Sequence, residues 1–241
     1  MYRLIVVLVA SGVGGIVQGA TGFGATIVMM ISMPMIFEIS AAAAIASAGT
    51  IFMTTYLWVK YRKYIHYKIM IMPAVFSMIV SGISIFVIDY FDVNLLKIFF
   101  GIFLIILALY FLLFANKVTI KNSTATSIFC AVLAGFGMGF FAISGPPAGV
   151  YFLSATESRE EYLGVINAYF TITLAYNTVI RIMNGIITVD MVPDMLLCSA
   201  GCMIGTFIAL KIMRNVSAEM AKKIIYFIMI MAGIITVVQS M

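Results

Sequence analysis

The chain has 241 residues, of which 64% are hydrophobic and only 10% are charged. Soluble domains carry about 25% charged residues, so this composition excludes an ordinary water-soluble protein and indicates a surface that faces lipid. The net charge of +5 comes from basic residues in short loops between apolar runs. That pattern sets the orientation of a protein in a membrane and is not that of a nucleic-acid-binding surface.

Six apolar runs are each close to the roughly 20 residues that a helix needs to cross the hydrocarbon core of a bilayer. Short, more polar connections separate them. The sequence therefore predicts an all-α, polytopic, multi-pass protein of the cell (inner) membrane. The six runs are residues 40–59, 69–88, 95–114, 162–183, 191–210 and 221–238.

Two further apolar stretches, residues 4–37 and 124–155, are too long for one span and are interrupted. The interruptions read Gly19-Ala20-Thr21-Gly22-Phe23-Gly24 and Ser144-Gly145-Pro146-Pro147. Glycine permits a positive φ, and proline removes a backbone donor. We expect each stretch to be a helix, a break at 22–24 or 144–147, and a shorter helix, so that eight stretches form about ten segments. The alternative is a helix that glycines merely kink.

The two halves of the chain match each other at an offset of 120 residues, which predicts an internal duplication. The first repeat would occupy residues 1–116, a cytoplasmic linker residues 117–123, and the second repeat residues 124–241. Each repeat would then open with its broken helical hairpin. The matching residues are Gly15, Gly19 and Pro73 with Gly135, Gly139 and Pro193.

The distribution of charge over the loops predicts that the two repeats have opposite orientations. Basic residues at 60–68, 117–121 and 211–223 mark cytoplasmic loops, whereas the acidic loops at 89–92 and 190–194 lie outside. These sides are consistent only if the stretch 124–155 enters the membrane and returns. The rival arrangement, a parallel duplication of eight spans with a cytoplasmic N-terminus, is favoured by Arg3, which the inverted arrangement places outside.

Inverted repeats with broken helices hold a substrate near the middle of the membrane, between the breaks. The N-terminus of a half-helix there offers free N–H groups and the positive end of a helix dipole to an anion. Pro146 and Pro147 suit the first turn of the returning helix, which would direct its N-terminus toward this site. The candidate binding residues at the breaks, or just before the first one, are Gln18, Thr21, Gly22, Gly24, Thr26, Ser144, Gly145 and Pro146.

A second set of candidates lies on the run 162–183, where Tyr169, Thr173, Asn177 and Arg181 recur every four residues and share a helix face. Asn167 lies beside this stripe. Placing a charged side chain at the centre of a bilayer costs at least about 2.5–3.5 kcal/mol on insertion scales, so such a residue usually has a function. Two interpretations of Arg181 stay open, because it either faces an anion or extends from the end of its helix to the membrane interface.

The types of residue within the spans argue against catalysis. The spans contain no deep aspartate or glutamate, which disfavours a proton relay. The single histidine, His66, is in a basic loop, so no base is available to activate Ser144 as a nucleophile. We therefore expect no enzyme activity, no catalytic residue, no metal site and no cofactor.

The glycine-rich segment Gly15-Ile16-Val17-Gln18-Gly19-Ala20-Thr21-Gly22-Phe23-Gly24, followed by Pro34, resembles the first repeat signature of the TauE/SafE sulfite-exporter-like family. The segment 135–139 resembles the opening of the second repeat, and segments 92–101 and 217–222 resemble the approaches to the final helix of each repeat. In the second repeat, Ala142 and Ser144 replace glycines of the pattern and Ser154 replaces a proline. The resemblance implies a bacterial or archaeal inner-membrane permease for small anions, typically sulfite or organosulfonates.

Together, these patterns predict a secondary transporter of a small anion, in which one repeat rocks against the other. The expected partners are the anion and the lipid bilayer, with no nucleic acid. A homodimer is one assembly that the sequence leaves open. A channel-like passive pore, and an accessory subunit or membrane enzyme without transport, are the alternative functions.

Overall fold

A computed structural model describes residues 2–114, 123–212 and 234, and the two long segments contain helices and turns but no strand. Short 3₁₀ turns flank several helices. We number the helices α1 Tyr2–Thr21, α2 Ala25–Ser32, α3 Ile39–Tyr61, α4 Lys68–Val87, α5 Val93–Phe114, α6 Thr124–Phe141, α7 Gly145–Ala155, α8 Arg159–Met183 and α9 Val192–Ile212.

The predicted all-helical membrane architecture is confirmed in the part of the chain that the structure describes. Six helical segments there are long and apolar enough to cross a bilayer. The predicted runs from residue 40 to residue 210 each coincide with a helix, within three residues at either end. The run 221–238 lies outside the described residues except for residue 234. The six segments are Tyr2–Thr21, Ile39–Tyr64, Lys68–Val87, Thr124–Phe141, Arg159–Met183 and Val189–Lys211.

Helix α8 begins three residues before the predicted run, because polar residues cap it. The Ser158 hydroxyl accepts a hydrogen bond from the backbone N–H of Glu161 at 3.1 Å. The Glu161 carboxylate in turn accepts one from the backbone N–H of Glu157 at 3.0 Å. The first bond satisfies a donor that has no partner within the helix, and the second holds the residue that precedes the cap.

Both interrupted stretches are divided into two helices. Helix α1 ends at Thr21 and α2 begins at Ala25, so the first break is at the predicted residues 22–24. Helix α2 turns back along α1, since a Cβ at Gly14 would lie 2.9 Å from the carbonyl oxygen of Ala25. With 8 and 11 residues, α2 and α7 are about 12 and 16 Å long, too short to cross a 30 Å core.

The predicted position of the second break, residues 144–147, is wrong. Helix α6 ends at Phe141 and α7 begins at Gly145, so the break occupies residues 142–144. Pro146 and Pro147 lie inside the first turn of α7, as predicted. Proline fits there because the N–H groups of a first turn have no partner within the helix.

Two pairs of helices pack side by side in parallel. Helices α1 and α9 run in the same direction, because Gly12 lies near Gly201 and Gly19 lies near Ala209. Helices α4 and α6 are parallel in the same way. The Ser77 hydroxyl donates to the carbonyl of Ala131 at 2.9 Å, while Ser84 contacts Gly139 further along both helices.

Helices α3 and α8 cross the centre of the bundle in opposite directions. Thr171 donates to Thr54 at 3.0 Å, whereas Gly164, nearer the start of α8, contacts Tyr61 at the end of α3. Helix α3 is parallel to α9, and α8 is parallel to α4. Helices α1 and α6, which open the two halves, therefore run in opposite directions. The pairs that establish the last two parallel contacts are Gly49 with Cys198, Tyr56 with Phe207, Ser77 with Tyr169, and Gly82 with Tyr176.

Glycine allows the backbones of α1 and α9 to touch. A Cβ at Gly15 would collide with the carbonyl of Cys202, and a Cβ at Gly205 would collide with the carbonyl of Gly12. Close backbone packing of small residues is a main source of helix association in membranes.

We therefore expect Gly15→Ala to lower the free energy of unfolding by about 1–3 kcal/mol, the usual cost of overpacking. Unfolding of the purified protein in mixed detergent and SDS micelles measures this change. Gly12→Ala is the matched control on the same helix, since its Cβ would lie 3.9 Å from the nearest atom, the Gly201 carbonyl oxygen. The control should be neutral or stabilising by up to about 1 kcal/mol. Equal destabilisation by both changes would contradict this packing.

Candidate functional site

The two broken helices meet in the interior of the bundle. Phe23, at the first break, packs its ring over the start of α7. A Cβ at Gly145 would lie 2.8 Å from this ring, and one at Gly149 would lie 3.3 Å from it. The side chain from one half therefore occupies the space that the glycines of the other half leave free.

A small cavity, with room for about one water molecule in this conformation, lies beside this contact. Thr50 on its wall is the central residue of α3, and Phe170 and Leu174 lie within one turn of the centre of α8. The cavity is thus at mid-depth of the two crossing helices. Its lining comprises Gln18, Gly24, Thr26, Thr50, Met138, Ala142, Ser144, Gly145, Phe170 and Leu174.

Five of the predicted binding residues line this cavity: Gln18, Gly24, Thr26, Ser144 and Gly145. The apolar wall and Thr50 are not among the predicted binding residues. An apolar residue gives no distinguishing signal in a chain that is 64% hydrophobic. The other seven predicted residues do not line the cavity: Thr21, Gly22, Pro146, Asn167, Thr173, Asn177 and Arg181.

Gln18 connects the first break to α8. Its Oε1 accepts a hydrogen bond from the backbone N–H of Ala25 at 3.2 Å, and its Nε2 donates to Oδ1 of Asn167 at 3.2 Å. Asn167 is held in turn, because its Nδ2 donates to the carbonyl of Leu163 at 2.8 Å. Gln18 therefore satisfies the first N–H of the returning helix, and Asn167 fixes the orientation of the Gln18 amide.

The start of α2 offers backbone donors next to the cavity. The N–H of Ala25 is bonded to Gln18, and that of Val28 donates to the carbonyl of Gly24 at 3.1 Å. Between them, the N–H groups of Thr26 and Ile27 have no acceptor within their helix, as expected of a first turn. Thr26 itself lines the cavity.

The start of α7 offers fewer donors than the start of α2. Pro146 and Pro147 have no N–H, and the N–H of Ala148 already donates to the carbonyl of Ser144 at 3.2 Å. The backbone N–H of Gly145 is the donor that remains in this turn. The Ser144 side chain is buried beside the Tyr169 hydroxyl, which donates to Ser77 at 2.7 Å.

Arginines from opposite ends of α8 reach the C-terminal ends of both broken helices. Nη2 of Arg159 donates to the carbonyl of Ala20 in α1 at 3.2 Å. Nη2 of Arg181 donates to the carbonyl of Gly139 in α6 at 2.6 Å. The last carbonyls of a helix have no partner within it, and positive charge is favourable at that end.

The side chain of Arg181 is completely buried, with 0% of its surface exposed. The interpretation in which it extends to the membrane interface is therefore wrong for this structure. Thr173 and Asn177 on the same face donate to carbonyls one turn earlier in α8, at 2.8 and 2.7 Å. Thr21, at the first break, lies 2.7 Å from the carbonyl oxygen of Phe23 and holds the turn.

Comparison with known families decides where this arrangement belongs. The family model described as sulfite exporter TauE/SafE matches residues 7–236, nearly the whole chain. The chain belongs to the TauE/SafE family. No curated protein and no solved structure matches it significantly.

Membership confirms the resemblance seen in the glycine-rich segments, and it establishes a membrane transporter of the sulfite-exporter type. With six helical segments able to span a bilayer, this TauE/SafE protein is a multi-pass membrane protein whose family implies a small anionic substrate. The departure from the family pattern at Ala142 also has a structural counterpart. Ala142 has a φ of 57°, the one positive φ of a non-glycine residue in the described segments.

The left-handed conformations at the breaks give a paired prediction. Ala142→Gly should relieve about 1–2 kcal/mol of strain and lose about half of that gain to unfolded-state entropy, so it should be neutral to slightly stabilising. Gly22, with a φ of 88°, is the matched position in the first half, and there Gly22→Ala should destabilise the TauE/SafE protein by at least about 1 kcal/mol. Its new methyl group would also lie 2.9 Å from Tyr162. SDS unfolding measures both changes, and a stabilising Gly22→Ala would refute this description of the first break.

Proposed function

We propose that this TauE/SafE protein is a secondary transporter that binds a small anion, sulfite or an organosulfonate, in the mid-depth cavity between its broken helices. The observation that carries the proposal is the position of the start of α2 beside a cavity without any charged lining residue. The backbone N–H groups of Thr26 and Ile27 in that turn have no acceptor within their helix. The Thr26 hydroxyl makes no hydrogen bond within the described segments.

An anion in this cavity would gain from several donors at once. A hydrogen bond to a charged group contributes about 1.5–3 kcal/mol, and the positive end of a helix dipole contributes about 0.3–1 kcal/mol or more when partly buried. The walls carry no carboxylate that would repel the anion. Because α7 has two prolines in its first turn, we infer that α2 supplies most of the binding.

Most of the other predicted residues would support the binding donors without contacting the anion. Asn167 orients the Gln18 amide, which in turn anchors the first N–H of α2. Thr21 and Gly22 form the turn that brings α2 back toward the cavity. Pro146 would start α7, and Thr173 would remain bonded to its own helix.

We further propose that the halves 1–116 and 124–241 form an inverted repeat joined by a cytoplasmic linker at 117–123. The opposite directions of α1 and α6, and of α3 and α8, support this arrangement over the parallel one. Arg3 forms an ion pair with Asp194, so its charge is neutralised and no longer opposes an N-terminus outside the inner membrane. Rocking of one repeat against the other would then expose the cavity to each side in turn.

Purified protein in liposomes tests the proposal by counterflow of labelled sulfite and of a labelled sulfonate such as taurine. We expect saturable flux that unlabelled anion on the opposite side accelerates. Flux that neither saturates nor responds to that anion would indicate a passive pore. Absence of flux and of binding for both anions would refute anion transport.

Thr26→Val should raise the KM for the transported anion roughly tenfold or more, because it removes a hydroxyl donor to a charged ligand. Thr156→Val is the matched control. Thr156 donates to its own helix at the carbonyl of Phe152, at 2.7 Å, and does not line the cavity. Equal KM values for wild type and Thr26→Val would contradict binding at this turn.

A further inference from the structure

Arg181 is a buried cation whose hydrogen-bonding capacity is mostly unused. Its Nη2 donates to the carbonyl of Gly139, but Nε and Nη1 have no hydrogen-bond partner among the described residues. Among the described residues, Asp194 pairs with Arg3 and Glu161 contacts His66. No described carboxylate therefore balances the charge of Arg181.

Such an arrangement is unfavourable unless something else completes it. A guanidinium stays protonated in proteins, and burying an unpaired charge costs several kcal/mol even after the surroundings relax. The carbonyl of Gly139 and the negative end of the α6 dipole offset part of this cost. The two N–H groups that remain are directed donors, so an anion is the chemical partner that they lack.

Asn177 lies one turn before Arg181 on the same face of α8 and contributes an unsatisfied acceptor. Its Nδ2 donates to the carbonyl of Thr173 at 2.7 Å. A carbonyl can only accept, so this bond fixes which end of the amide is nitrogen. Its Oδ1 is buried without a hydrogen-bond partner in the described segments. This oxygen needs a donor from the same region in which Arg181 needs an acceptor.

We propose that Asn177 and Arg181 form a second anion site, separate from the mid-depth cavity, that takes a singly charged oxyanion carrying one proton. The ligand oxygens accept from Nε and Nη1 of Arg181, and the ligand O–H donates to Oδ1 of Asn177. Bisulfite has this combination of one charge, several acceptors and one donor. The inference rests on the proposed function, because it adds a second station to the path of the same anion.

The position and charge of this site distinguish it from the cavity. Arg181 lies seven residues after Leu174, which is on the cavity wall. This spacing corresponds to about 10 Å along α8. One guanidinium balances one negative charge, so a dianion would leave an excess charge buried. Chloride would leave Oδ1 of Asn177 without a donor. A protonated monoanion satisfies all three free atoms.

Titration calorimetry of the purified, full-length protein tests the site, with sodium sulfite as the probe in a chloride-free buffer acidic enough for bisulfite to predominate. We expect wild type to bind two anions. Arg181→Met should bind one, with the affinity of the cavity retained. Thr26→Val should weaken the other site alone, roughly tenfold or more. Two sites in Arg181→Met would overturn the inference.

Asn177→Asp keeps the guanidinium and decides the question if Arg181→Met does not fold. The new carboxylate lies four residues before Arg181, at the spacing that pairs opposite charges on a helix. This carboxylate should take the place of the anion, so that one site is lost. The contribution of that site to the rise in melting temperature with sulfite should then disappear. Retention of both sites in Asn177→Asp would also overturn the inference.

Asn177→Leu is the matched control for that change, because it is similar in size but supplies no charge. It should still bind two anions, with the preference of the second site for bisulfite over chloride reduced about tenfold or more. Equal binding of chloride and bisulfite by wild type at this site would refute the assignment of a protonated ligand. A single wild-type site that Thr26→Val weakens would overturn this inference alone, whereas no binding would overturn the proposed function as well.

Discussion

A helix that is broken inside a bilayer releases backbone N–H and C=O groups where water cannot satisfy them. In this protein, side chains bond several of these groups on both sides of the first break and one at the end of α6. The donors that remain include those at the start of α2, beside a cavity. The groups that are taken over are the N–H of Ala25, by Gln18, and the carbonyls of Phe23, Ala20 and Gly139, by Thr21, Arg159 and Arg181.

The two halves therefore offer different hydrogen-bond donors at their breaks, although their helices are arranged similarly. The first break has glycine in both left-handed positions, at Gly22 and Gly24, and leaves the start of α2 open. The second break places Ala142 in a left-handed conformation, and two prolines remove donors from the start of α7. The chemistry of the second half is instead concentrated on α8, where a buried guanidinium is not fully satisfied.

The sequence predicts most of the helices, because the thickness of the bilayer requires long apolar runs and leaves little freedom in their length. It also predicts the first break, because the residues with a positive φ there are glycines, which favour that conformation. It places the second break two residues too late, although it correctly predicts Pro146 and Pro147 in the first turn of the returning helix. The strained residue is Ala142, whose identity gives no warning of a left-handed conformation.

The site is predicted only where its chemistry is unusual for a membrane protein. Gln18, Thr26 and Ser144 are recognisable because polar residues are rare in the spans. Phe170 and Leu174 cannot be distinguished from the many residues that face lipid, and only the crossing of α3 and α8 places them on the cavity wall. The burial of Arg181 also depends on this packing, since its position near a helix end is equally suited to the membrane interface.

The location of a bound anion in crystals of the protein tests the mid-depth site most directly. Crystals grown with selenite, the selenium analogue of sulfite, would reveal the bound atom by its anomalous scattering. We predict a selenium peak in the mid-depth cavity, with ligand oxygens within hydrogen-bonding distance of the backbone nitrogen atoms of Thr26 and Ile27. A well-ordered cavity without selenium, with selenite bound only outside the bundle, would contradict it.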